Sequence, residues 1–206
     1  MLEQPMYAIS DREEIRELIR TFGWAVLVSS PPDSGPVVSH LPVVLDETGP
    51  GPPLAVSGHL AAGDAPAHRL GSAPSTVIIE GPNAYVSPRY YGSPGWVPTW
   101  NFVVVHLHGR PKVLDADGTL DVLERTVEHF EHRRGTGWRL EESAAAVPAL
   151  LPQVTGFRLV PDRIVAKAKL SQDKPPAAVA GVIRGLEGTG RPADAALAAW
   201  MRRRQS

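Results

Sequence analysis

Trp24-Ala25-Val26-Leu27-Val28, Val37-Val38-Ser39-His40-Leu41-Pro42-Val43-Val44-Leu45 and Leu54-Ala55-Val56-Ser57-Gly58 are three apolar, valine-rich runs separated by Pro/Gly/Asp clusters. β-branched side chains pack well on a pleated surface and Gly and Pro punctuate it, so the runs predict three successive strands in a meander. Upstream, Ser10-Asp11-Arg12-Glu13 reads as a capping box, with Ile15, Leu18, Ile19 and Phe22 at helical spacing as far as Gly23. Downstream, residues 64–70 predict a short helix, 76–80 and 84–87 two strands with a bulge or bend at Gly81-Pro82, and 99–114 a long strand with a break at Gly109. A second helix over about 119–134 collects Leu120, Leu123, Val127 and Phe130 on one apolar stripe, which should pack on a sheet. Residues 157–160 and 164–170 predict a strand pair turning at Pro161-Asp162, and the Ala-rich remainder reads as two helical pieces divided near 188–190. Short strands without strict β-α alternation make the chain mainly β with flanking helices, a small barrel or sandwich.

Composition narrows the function classes. The 206 residues suffice for one β-rich domain with appendages. With 43% hydrophobic and 21% charged residues the chain is ordinary for a globular protein, and 21 Pro with 19 Gly punctuate its connections without reaching the abundance of a disordered segment. No uncharged apolar run reaches the length of a membrane span and Met1-Leu2-Glu3-Gln4-Pro5 lacks a signal-peptide pattern, so a cytoplasmic location is expected. The lack of cysteine excludes disulfides, thiolate zinc sites and cysteine nucleophiles. A net charge of -1 offers no global attraction to nucleic acid, and Arg202-Arg203-Arg204 is the compact basic cluster, read as a helix end favoured by the macrodipole.

Several constellations fall short of a chemistry. His106-Leu107-His108 puts two imidazoles on one strand face, but no third ligand follows at a matching spacing, and His129 with His132 lacks the HExxH order, so no metal site is expected. There is no GxSxG elbow, no GxGxxG and no GxxxxGK[ST]. Val97-Pro98-Thr99-Trp100-Asn101 is different: it sets Thr99, Trp100 and Asn101 in alternation at the mouth of a strand, an aromatic platform beside two hydrogen-bonding groups. Ser39-His40-Leu41-Pro42, Ser57-Gly58-His59-Leu60-Ala61 and Lys169-Leu170-Ser171-Gln172 are likewise polar within apolar surroundings, and the four segments together read as one ligand pocket.

These segments, with Gly81-Pro82-Asn83-Ala84-Tyr85-Val86-Ser87-Pro88 and Val105-His106 before Gly109, occur in the order of the PaiB family, which the chain resembles from about residue 6 to residue 175. The resemblance implies an FMN-binding split β-barrel, a Greek-key-like antiparallel barrel related to the pyridoxamine 5'-phosphate oxidase-like flavoproteins, working as a homodimer with flavin in clefts between subunits. It implies a barrel domain over 1–173, with the helix at about 119–134 inserted in it, and a C-terminal helical extension over 174–206. The family label, FMN-binding negative transcriptional regulator, implies repression; a flavin-dependent oxidoreductase of unread substrate and a cofactor-free interaction module are the alternatives. Asp64 and Asp173 stand where the family carries Asn.

An FMN site needs cations and donors for a phosphate dianion, hydrogen bonds to the pyrimidine edge and an apolar or aromatic wall for the ring. Lys169 and His59 are the candidates for the phosphate end, with Ser57, Ser171 and Thr99 as neutral donors; His40, Asn101 and Gln172 for the ring edge; Trp100 for the wall. Direct reading of DNA is not expected, since no helix-turn-helix with a polar recognition helix is evident.

Overall fold

The computed structural model describes residues 1–46 and 54–204. In chain order the elements are α1 (Arg12–Thr21), β1 (Trp24–Ser29), β2 (Val37–Leu45), β3 (Val56–Ala61), β4 (Ser75–Val86), β5 (Thr99–Gly109), β6 (Lys112–Val113), α2 (Ala116–Arg134), α3 (Val147–Leu150), β7 (Val154–Leu159), β8 (Arg163–Lys169), α4 (Pro176–Glu187) and α5 (Pro192–Arg203). Beyond Asp46, the turn expected before β3 lies outside the described residues. No helix among the described residues is long and apolar enough to cross a membrane. Two compact units emerge, one of Arg12–Ile79 with His106–Ile164, the other of Met1–Asp11, Glu80–Val105 and Val165–Ser206.

In the first unit the expected meander forms. β1 and β2 are antiparallel with Trp24 opposite Pro42 and Ser29 opposite Val37, and β3 continues the sheet with Gly58 opposite Val43. Strand neighbours run β6-β7-β3-β2-β1-β4. Alternation sends Ala25, Leu27, Leu41, Val77 and Ile79 into the core, while Trp24, Val38 and His40 stay exposed on the opposite face. α1 buries Ile15, Leu18 and Ile19, the residues its 3.6-residue period groups together.

α2 starts three residues before the expected position because Asp115 caps it, its carboxylate accepting from the Gly118 amide at 2.9 Å. Its most buried stripe is Thr119, Val122 and Thr126 rather than the expected leucine-valine stripe. The reason is a close approach at β7: a Cβ on Gly156 would lie 2.9 Å from the Thr119 Cα, so small residues face each other there and turn Leu123 and Val127 toward the helix flank.

Three expectations are corrected. Residues 64–70 form a succession of turns rather than a helix, with amides reaching back three, four and five residues (Arg69 to Pro66, His68 to Asp64, Leu70 to Ala65) and Arg69 at φ 43°. β4 runs unbroken through Gly81-Pro82; its buried positions change from odd to even there, the mark of a one-residue slip such as a bulge produces. β7 and β8 do not pair with each other: β7 lies between β3 and β6, and β8 neighbours β5. Instead of turning back, the connection hooks onto the end of β5, where the Asp162 amide donates to the His108 carbonyl at 2.9 Å. Gly109 permits the crossing, since a Cβ there would meet Leu159 at 2.9 Å.

In the second unit, strand neighbours run β4-β5-β8. α4 and α5, separated near 188–190 as expected, bury Val182, Leu186, Leu197 and Trp200. Residues 8 and 9 are tied to β8, by a bridge between Ala8 and Lys167 and by the amide of Ile9, which donates to the Ala166 carbonyl.

Candidate functional site

The nine expected site residues fall into two groups, Thr99, Trp100, Asn101, Lys169, Ser171 and Gln172 in one unit and His40, Ser57 and His59 in the other. In the first group the end of β8 meets the start of β5. Lys169 Nζ donates to the Thr99 hydroxyl and, at 3.1 Å, to the Trp100 carbonyl. Both acceptors are neutral, and burial holds the Lys169 ammonium below the usual lysine range; Asp173 opposes this while Lys167 and Lys174 reinforce it. Trp100 is half-exposed, its indole N–H held by the Asn83 side chain at 3.1 Å and its ring 6.2 Å from that of Tyr85.

Asn101, Ser171 and Gln172 form the lock behind this pair. Asn101 is fully buried and donates to Ser171 Oγ at 2.9 Å. That bond steadies Ser171 at φ 64°, a left-handed conformation costly for a residue with a Cβ. Gln172 accepts from the Leu170 amide at 2.6 Å and donates to the carbonyls of Ala168 at 2.6 Å and Met6 at 3.3 Å. The polar atoms of these three residues are therefore engaged within the chain, where they fix the strand end that aims Lys169.

In the other unit His40 and His59 line a groove of about 620 Å³ between β2, β3, α2 and residues 140–154, and Ser39 and Asp64 share its polar side. His59 is kept low in pKa by burial, and its Nδ1 is buried without a hydrogen-bond partner among the described residues, as is Ser57 Oγ. His40 stacks near Trp24 with ring centroids 6.5 Å apart.

Sequence reasoning missed two residues here. His68 is fully buried, its Nδ1 2.9 Å from Ser29 Oγ and its Nε2 2.9 Å from Ser39 Oγ; Ser29 Oγ is 2.8 Å from Ser75 Oγ, and Ser39 donates to the Asp64 carboxylate at 3.3 Å. His68 thus bridges the two strand serines, and Ser39 passes its proton on to the Asp64 carboxylate. Lys167 is the second: it is buried two positions before Lys169 on the same strand face, donating to the Leu2 carbonyl at 3.1 Å and the Gln4 side chain at 2.9 Å, with the Tyr7 ring 5.3 Å away. Its signal was the alternation Lys167, Ala168, Lys169. His68 gave none.

The donor set at β8 suits a flavin phosphate. A dianion beside Lys169 would replace neutral acceptors with a charged one and offset the desolvation its ammonium bears, with Lys167 and Lys174 adding to the local positive field. The half-exposed Trp100 offers a face to an aromatic ring.

Over residues 1–163 the chain matches the family model described as "Putative FMN-binding domain". Among curated proteins it is similar to the protease synthase and sporulation protein PAI 2 of Bacillus subtilis (strain 168), 26% identical over 189 residues that cover 90% of this chain and 89% of that protein. Among solved structures, the FAD and heme binding protein from Mycobacterium smegmatis matches with a TM-score of 0.62 at 17% identity, covering 84% of this chain and 79% of that chain. The flavocytochrome Anf3 from Azotobacter vinelandii matches with a TM-score of 0.59 at 15% identity, covering 82% and 72%. At such identities the likeness carries the fold, and the fold is that of the split-barrel proteins.

Proposed function

Since the chain belongs to the family described as "Putative FMN-binding domain" and is a flavin-binding split-barrel protein with FMN as its cofactor, we propose that it works as a homodimeric, FMN-dependent regulator in the cytoplasm. The observation that carries the FMN assignment to particular residues is Lys169, a partly desolvated ammonium with neutral partners in its strand-end cradle. In this reading Lys169 and Thr99 take the phosphate, Trp100 walls the ring, and Asn101, Ser171 and Gln172 position them. His59 is moved away from the phosphate end, because its groove is lined by Asp64 and by no Lys or Arg.

The homodimer is supported by the outer face of β1 and β2. Trp24 is 63% exposed and Val38 53%, side by side with His40 on a face that a monomer leaves in water. Closing that face with a second copy buries it symmetrically. The regulatory role is supported by the name of the Bacillus subtilis relative, a protease synthase and sporulation protein. With a net charge of -1 the proposed regulation proceeds without direct reading of duplex DNA.

One observation favours a second reading, FMN-dependent oxidoreductase: the groove at His40 and His59 has the volume of a small-molecule site, with two imidazole side chains on its lining. A bound flavin supplies the electron or hydride chemistry, and the chain need only orient what reacts with it. The test of the FMN assignment is an absorbance titration of the purified protein with FMN, combined with light scattering on the same sample. Saturable binding by a particle of twice the chain mass is expected. No saturation at tens of micromolar FMN would overturn it.

A further inference from the structure

The mouth of β5 is held from behind by helices that lie beyond the matched residues 1–163. Asn101 is fully buried, so the protons of its side-chain amide must find acceptors inside the protein. One goes to Ser171 Oγ at 2.9 Å, and the Ser171 hydroxyl lies 3.3 Å from Asn101 Oδ1. The other acceptor of the amide nitrogen is Met201 Sδ at 3.9 Å, supplied by α5 from 100 positions further along the chain. Met201 is 1% exposed, which seals the contact from solvent. Sulfur is a weak acceptor, yet in a sealed place it keeps an amide proton from being left without a partner.

α5 is itself pinned. Arg202, next to Met201, grips Glu187 at the end of α4 with two hydrogen bonds of 2.9 and 2.8 Å. At the start of α5 the buried Asp194 accepts from Arg191 at 2.7 Å and from the Thr189 hydroxyl at 2.8 Å. α4 in turn lies directly on Tyr90: a Cβ on Gly181 would overlap the Tyr90 carbonyl oxygen, and one on Gly185 would overlap the Tyr90 ring. The neighbouring Tyr91 packs on Trp96 with ring centroids 5.1 Å apart, just before Thr99 opens β5. The helical pair therefore supports the mouth of β5 twice, at the loop that enters it and behind its buried amide.

We propose that Met201 is a positioning residue of the site at the mouth of β5: its sulfur holds the Asn101 amide, Asn101 holds Ser171, and this lock sets where Thr99, Trp100 and Lys169 stand. The inference rests on the flavin reading of that site for its binding measurement and makes α4 and α5 part of the binding machinery. A leucine at position 201 keeps the volume and loses the acceptor, so the Asn101 amide turns toward another partner and Ser171, at φ 64°, loses its restraint.

The full-length wild type is compared with Met201→Leu and Leu197→Ala. Leu197 is equally buried one turn earlier on α5, so its truncation loosens the helix without removing an acceptor. The first measurement needs no flavin: it follows the Asn101 side-chain amide signals and the Trp100 indole N–H signal in nitrogen–proton correlation spectra. Met201→Leu should move both, whereas Leu197→Ala should lower the urea midpoint and leave both in place. The second is an FMN titration by flavin fluorescence at a temperature where all three proteins are folded. Met201→Leu should weaken binding about fivefold and Leu197→Ala less than about twofold. The proposal is overturned if the Asn101 and Trp100 signals stay in place in Met201→Leu, if both variants move them alike, or if Met201→Leu binds FMN as the wild type does. A wild type that takes up no FMN sinks the flavin reading instead, and the spectra alone then decide whether Met201 positions the mouth.

Discussion

Lys169→Ala removes the cation whose acceptors in the free protein are the Thr99 hydroxyl and the Trp100 carbonyl. Both are neutral, and burial already penalises the charged form of this lysine, so truncation should cost the free protein little. With FMN bound the account changes: a charge-assisted hydrogen bond from a part-buried ammonium to a phosphate contributes about 1.5–3 kcal/mol, so the variant should bind FMN about 10- to 150-fold more weakly. Riboflavin, which lacks the phosphate, isolates that contribution. Titrations followed by flavin fluorescence should show FMN affinity falling in Lys169→Ala while riboflavin affinity changes less than about twofold. pH gives a second signature. Burial lowers the Lys169 pKa in the free protein and a phosphate restores it, so binding takes up a proton once the free lysine begins to deprotonate. FMN affinity in the wild type should therefore decline with rising pH before the ordinary lysine value of about 10.4 is reached, and the decline should be absent in Lys169→Ala. If FMN and riboflavin lose affinity equally, or FMN affinity in the variant stays within about threefold of wild type, the phosphate is held elsewhere.

The exposed face of β1 and β2 predicts that Trp24→Glu converts the dimer to a monomer without unfolding it, since Trp24 is 63% exposed in the single chain; light scattering that gives a mass near 22.1 kDa for the wild type at all concentrations would remove the dimer altogether. Duplex binding should be no tighter than about 1 μM at roughly 150 mM salt in a mobility-shift titration against the protein's own promoter region, and nanomolar binding surviving excess competitor DNA would contradict the indirect route of regulation. Acid should destabilise the fold through His59 and His68, whose pKa values burial lowers: the unfolded chain takes up protons first, so stability present above about pH 6.5 is lost as pH falls through it. Urea midpoints at pH 7.5 and pH 5 check this, a flat profile being the contrary result. Gly156→Ala should lower stability by about 1–3 kcal/mol, because its Cβ would lie 2.9 Å from the Thr119 Cα and two backbone elements must part; an unchanged urea midpoint would mean that α2 can slide freely over β7.

What could be read from the sequence was whatever depends on neighbours along the chain. β1, β2 and β3 are legible because a pleated strand and a Pro/Gly turn are local events, and α1 is legible because Ile15, Leu18 and Ile19 repeat at the helical period. The errors arise where distant residues decide. Leu123 and Val127 look like the core stripe of α2, yet the contact of Gly156 with Thr119 turns the helix so that they line the groove instead. β7 and β8 look like a hairpin because three residues join them, but hydrogen bonds to β3, β6 and β5 outrank local closure, and the approach at Gly109 makes that path possible. The same division holds for the binding groups. Lys169, Thr99 and Trp100 announce themselves as polar or aromatic side chains at a strand mouth, and the fold then brings Lys169 onto Thr99 across 70 positions. His68 could not announce itself: its meaning comes from Ser29 and Ser39, 39 and 29 positions away, and from burial that no pattern around residue 68 reveals. A lone histidine in a Gly- and Ala-rich turn reads as solvent-exposed, whereas this one joins two strand serines to the carboxylate of the groove. Polar residues that a fold hides and fully hydrogen-bonds are where tertiary structure adds most to a sequence reading, because burial without those bonds would cost several kcal/mol, about 1–3 for each unsatisfied group.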